Sequence, residues 1–88
     1  MCLAIPGKIV EIVDDANRIV KVDVGGVRRN VNAGLLEPQE AQIGAYVLIH
    51  VGFAMSRIDE SEAEETLRLL RELGAYEEEL SQFTSSIS

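Results

Sequence analysis

The chain has one cysteine, one histidine, two prolines, no tryptophan and 5% aromatic residues among its 88 positions. A single cysteine cannot close an internal disulfide, which excludes the stapled scaffold by which small secreted domains compensate for a thin core. No apolar run approaches the ~18 residues of a membrane span. The N-terminus lacks the basic region and long apolar stretch of a signal peptide, so the expected location is the cytoplasm. Basic residues are also scarce, with 8 Lys and Arg against 15 Asp and Glu and a net charge of -7. Such a chain repels phosphate backbones, and neither a nucleic acid nor a membrane is expected as a partner. The sequence contains no glycine-rich phosphate loop, no paired cysteines and no nucleophile elbow.

What is present is a globular composition, 47% hydrophobic and 26% charged, in a length that suits one small domain. A chain of this size buries only about 60 to 65% of its unfolded surface, so stability rests on close packing of Val, Ile and Leu. The charge is unevenly placed. Up to residue 58 the acids Glu11, Asp14, Asp15, Asp23, Glu37 and Glu40 balance Lys8, Arg18, Lys21, Arg28, Arg29 and Arg57. After it, Asp59, Glu60, Glu62, Glu64, Glu65, Glu72, Glu77, Glu78 and Glu79 face only Arg68 and Arg71.

From Ile9 to Val51 the pattern is β. Lys8 to Val13 is rich in Ile and Val and ends on Asp14-Asp15-Ala16-Asn17, residues that favour turns. Val20, Val22 and Val24 alternate with Lys21 and Asp23, stop at Gly25-Gly26 and resume as Val27, Arg29 and Val31. This predicts a hairpin with a two-residue turn in which glycine supplies positive φ. Its register follows: Val24 opposite Val27, Asp23 opposite Arg28, Val22 opposite Arg29, Lys21 opposite Asn30 and Val20 opposite Val31. The three valines should face the core, and Asp23 and Arg28 should meet on the wetter face. Leu35 and Leu36 add a short apolar piece before a loop. Tyr46 to Val51, apolar on both faces, is read as the last strand, central or closing a barrel.

After Gly52 the period changes. Asp59 and Glu62 have the spacing of a capping box, acids crowd the positive end of the helix dipole, and Ala63, Leu67, Leu70 and Leu73 recur at helical spacing up to Gly74. The expected architecture is mainly β: a short-stranded barrel over about residues 1–55 followed by one amphipathic helix over about 59–74. Leu67 and Leu70 should be buried, and Glu64, Glu65 and Arg68 wet. Residues 76–88, acidic and then Ser/Thr-rich, are expected to form a loose tail.

Chemistry is left to Cys2 and His50. Initiator methionine is normally removed in front of cysteine, which would put a thiolate and a free α-amine on one residue. The neighbouring ammonium would lower the thiol pKa. The alternative for Cys2 is a small hydrophobe at the head of Leu3, Ala4 and Ile5. His50 lies on the strand face of Tyr46 and Leu48, where a neutral imidazole could also simply pair with a carbonyl or with Tyr46. Cysteine and histidine suit iron or zinc, but two side chains fall short of the four ligands of a closed site. Any metal would therefore be shared with a partner or carried with its own ligands. Gly52-Phe53-Ala54-Met55 is either the elbow that seats the helix or an exposed contact patch.

In its opening Met1-Cys2-Leu3-Ala4-Ile5-Pro6-Gly7-Lys8, its middle Val20-Lys21-Val22-Asp23-Val24-Gly25-Gly26-Val27, and Tyr46-Val47-Leu48-Ile49-His50-Val51-Gly52-Phe53-Ala54-Met55 before an acidic helix, the chain resembles the HypC/HupF/HybG hydrogenase maturation chaperones. The resemblance covers about residues 1–75. It implies a small OB-like β-barrel with a C-terminal helix, and a carrier and adaptor rather than an enzyme. The implied partners are the scaffold protein HypD and the precursor of a [NiFe]-hydrogenase large subunit. The implied cargo is iron bearing cyanide and carbonyl ligands, held transiently and shared with a partner, with none expected in the isolated protein. By the same resemblance Cys2 and His50 are the metal-holding residues. Partner contact is expected at Cys2, Leu3, Ile5, Pro6, Phe53 and Met55.

Two rival functions remain open from the residues alone. A thiol enzyme with Cys2 as nucleophile and His50 as base would need a third, orienting group and oxyanion donors, and no such constellation is visible. A metal-free adaptor would need only the barrel and the acidic helix as docking surfaces.

Overall fold

The computed structural model describes residues 4–50 and 52–85. Five strands close a barrel in the order β1-β2-β3-β5-β4, with β1 at Ile5–Asp14, β2 at Ile19–Val24, β3 at Val27–Asn32, β4 at Tyr46–His50 and β5 at Phe53–Ile58. Two helices follow, α1 at Glu60–Glu72 and α2 at Tyr76–Ser85. The long β1 serves two neighbours. Ile5 to Lys8 pair antiparallel with Ile49 to Tyr46, and Lys8 to Asp14 pair with Asp23 to Ile19 through two register shifts. Such irregularities sharpen the bend a strand needs to belong to both sides of a small barrel.

The hairpin forms in the expected register, from Val24↔Val27 through Asp23↔Arg28 to Val20↔Val31. Gly25 and Gly26 both have positive φ, 59° and 92°, the backbone of a two-residue turn that matches the twist of its strands. Val20, Val22 and Val24 face inward with Ile5, Ile9, Val31, Val47, Ile49 and Ala54. Gly7 sits among them, because a Cβ there would come within 2.9 Å of Ile49, Val22 and Val24 side-chain atoms. Only glycine lets β1 approach β2 and β4 this closely. On the wet face Asp23 and Arg28 form the expected ion pair at 3.0 Å. The segment between β3 and β4 is pinned by Arg18, whose guanidinium donates to the carbonyls of Ala33 and Leu36, and it contributes Leu36 to the core while Leu35 stays exposed.

Several expectations are corrected. Tyr46–His50 does lie between two strands and so closes the barrel, but it is not the last strand. Phe53–Ile58 turns back on it antiparallel, so the barrel extends past residue 55, and Phe53-Ala54-Met55 is strand rather than helix elbow. The signal was weak because in β5 only Ala54 is buried, and a register shift between Leu48 and Ile49 breaks the alternation. Asp59 is the N-cap of α1 with extended backbone, but its side chain makes no capping hydrogen bond. α1 buries Ala63 and Leu70 and half-buries Leu67, with Glu64, Glu65 and Arg68 exposed as expected, yet Leu73 is 72% exposed. The largest departure is the tail. Residues 76–85 form α2, and Phe83 is 2% exposed within the core cluster, with Tyr76 and Leu80 packed against it.

Candidate functional site

Strand β4 alternates Val47 and Ile49 into the core with Tyr46, Leu48 and His50 on the outer face. That alternation brings His50 to the surface at the strand's last position, half-exposed and paired across the turn with Phe53. Gly52, at φ 83°, makes the return. Among the described residues the imidazole has no hydrogen-bond partner. Tyr46 is engaged elsewhere, its ring lying under the Lys8 ammonium at 5.9 Å.

The Ile5↔Ile49 pair sets the beginning of β1 beside the end of β4. Ala4, one residue earlier, is therefore at the register position beside His50. Cys2 and Leu3 lie outside the described residues, but only Leu3 separates Cys2 from Ala4. Two residues of chain span at most about 7 Å. Among the described residues no group of three His, Cys, Asp or Glu side chains is placed to hold a metal ion. One imidazole and one thiolate could supply two soft or borderline ligands, and the rest of a coordination shell would have to come from the cargo or a partner.

The expected contact residues divide. Phe53, opposite His50 on β5, and Met55, two residues further along that strand, are about half exposed, at 46% and 47%. Ile5 and Pro6 are corrected: both are buried, Ile5 inside the barrel and Pro6 opposite Leu48 on β4, so neither offers a partner its side chain. Apolar surface on this side of the barrel comes instead from residues not expected at a contact surface. Leu48, Leu69, Leu70 and Leu73 join Ala4 and Thr66 in a groove of about 280 Å³ between β4 and α1. Its signal was legible, because Leu67, Leu69, Leu70 and Leu73 make a stripe too wide for one buried face.

A model of the HupF/HypC family matches residues 1–70. The chain is 51% identical over 84 residues to the protein named "Hydrogenase maturation factor HypC" of Rhodobacter capsulatus, covering 93% of this chain and 88% of the relative. It is 46% identical over 74 residues to the protein of the same name from Azotobacter chroococcum, covering 84% and 83%. A third relative, "Hydrogenase maturation factor HybG" of Escherichia coli, is 44% identical over 75 residues, covering 83% and 92%.

Proposed function

The chain belongs to the HupF/HypC family of hydrogenase maturation factors, and from that premise we propose that it carries iron bearing cyanide and carbonyl ligands between HypD and the precursor of a [NiFe]-hydrogenase large subunit. The work is done in the cytoplasm, by binding and delivery rather than turnover. The observation that supports this reading best is the half-exposed imidazole of His50, which has no hydrogen-bond partner among the described residues and stands at the register position of Ala4, two residues from Cys2 in the sequence. A thiolate is the metal-binding form of cysteine, and the α-amine exposed by loss of Met1 favours it. Imidazole is a second, borderline ligand.

Two protein ligands suit a cargo of this kind. Iron that arrives with strong-field diatomic ligands needs few from the carrier, and a site that is incomplete alone releases readily to a partner that completes the shell. A closed four-ligand site would hold the metal instead. The half-exposed Phe53 and Met55, with the groove between β4 and α1, supply apolar contact area for a partner.

The test is to purify the protein anaerobically with its partners and record the infrared spectrum in the cyanide and carbonyl stretching region. Bands that are present with the natural chain and lost with Cys2→Ser or His50→Gln, while the partners still co-purify, support the carrier. Co-purification without such bands in the natural chain would instead identify a metal-free adaptor.

A further inference from the structure

The two-residue turn fixes more than the register of the β2–β3 hairpin. With Gly25 and Gly26 in the loop, Val24 and Val27 exchange hydrogen bonds, and so do the pairs Val22↔Arg29 and Val20↔Val31. Arg28, Asn30 and Asn32 consequently turn their N–H and C=O groups away from β2. For Asn32 this is visible directly, since its N–H donates to the Gly52 carbonyl at 2.9 Å. Strand β5 meets β3 only there, at Asn32↔Phe53, so among the described residues no strand lies beside Arg28 and Asn30. Arg28, Arg29 and Asn30 are all exposed. The barrel therefore has a seam; α2 also packs against β3, but among the described residues no backbone hydrogen bond takes the outward groups of Arg28 and Asn30, two rungs that lead toward the turn after His50.

We propose that this edge of β3 is a docking site for an extended, acidic segment of a partner polypeptide, which pairs with Arg28–Asn30 and joins the barrel as an added strand. An exposed row of backbone donors and acceptors is a template for such pairing. The side chains select the occupant. A second copy of this chain is disfavoured, because β3 against β3 sets the arginines of the two copies on adjacent strands. Arg28 is already paired with Asp23, whereas Arg29 makes no ion pair among the described residues and is the cation available to an incoming carboxylate. The net negative charge lies on the helical part of the chain, so an acidic segment finds its complement on this side of the barrel. The site needs no metal and is independent of Cys2 and His50.

Amide hydrogen exchange resolved by NMR on the full chain tests it, with a blocked synthetic peptide Thr-Val-Glu-Val-Glu-Val-Thr as probe. In the free protein the Arg29 and Val31 amides should exchange slowly and those of Arg28 and Asn30 fast. Millimolar peptide should slow Asn30 at least about tenfold, and the same peptide with Lys for Glu should not. Asn30→Pro removes only an outward N–H, so it should keep the fold and lose the effect, whereas Arg29→Pro breaks a ladder bond and should unfold. Arg29→Glu, which leaves the backbone intact, should transfer the preference to the Lys peptide. Slow exchange of Asn30 before peptide is added, no slowing by the Glu peptide, or equal slowing by both peptides would each overturn the proposal.

Discussion

Asp23 ties the β2–β3 turn from both sides, accepting from the Gly26 N–H at 3.1 Å and from Arg28 Nε at 3.0 Å. The Gly26 N–H, and after it the Arg28 hydrogen bond, hold its carboxyl below the ordinary aspartate value of 3.8. A depressed folded-state pKa means that the stabilisation is fully present above the unfolded value and is lost as pH falls through the folded one. Asp23→Asn should cost about 0.5 to 1 kcal/mol at neutral pH. In urea unfolding the gap between variant and natural chain should close on acidification below 3.8; a gap independent of pH would contradict the assignment. Gly7→Ala should cost more, about 1 to 3 kcal/mol, because the new methyl meets three core side chains at 2.9 Å. His50 should behave oppositely to both. Half-exposed and without a partner among the described residues, it should tolerate substitution by glutamine with an almost unchanged melting temperature and still fail in iron delivery. Equal loss of stability and function would return it to a structural role.

Among the elements, the hairpin was legible to the residue, because alternation of valines and a Gly-Gly pair determine face, turn and register together. Strand β5 was not, since Phe53–Ile58 has a single buried side chain and its pairing with β4 is irregular. Helix α2 was overlooked for a different reason. Tyr76, Leu80 and Phe83 do have helical spacing, but they are embedded among Glu77 to Glu79 and polar residues, and only the tertiary packing of Phe83 makes the segment worth ordering. Phe83→Ala should therefore destabilise the whole domain by about 3 to 5 kcal/mol, measured by denaturant unfolding. A change below the error of that measurement would show that α2 contributes nothing to the core. Of the candidate site, the outward face of His50 was legible from the alternation of β4, while the burial of Ile5 and Pro6 was not, because an apolar N-terminal stretch reads alike whether it lines a barrel or meets a partner.

At the scale of the whole molecule the chain divides by charge. A balanced barrel holds the candidate ligands, and the helical part holds the entire net charge of -7. The exposed Glu64 and Glu65 on α1 and Glu77 and Glu78 on α2 give that part an acidic surface, which should steer encounter with a basic partner face and make the association rate fall as salt is raised. Whether the domain delivers metal through Cys2 is decided by Cys2→Ser. The substitution changes shape little but replaces a soft thiolate by a poorly ionised hydroxyl. The measurement is processing of the hydrogenase large subunit in cells, with natural and variant chains at equal level. If Cys2 carries the metal, Cys2→Ser abolishes processing while the purified variant melts like the natural chain; normal processing by that variant would show that it does not.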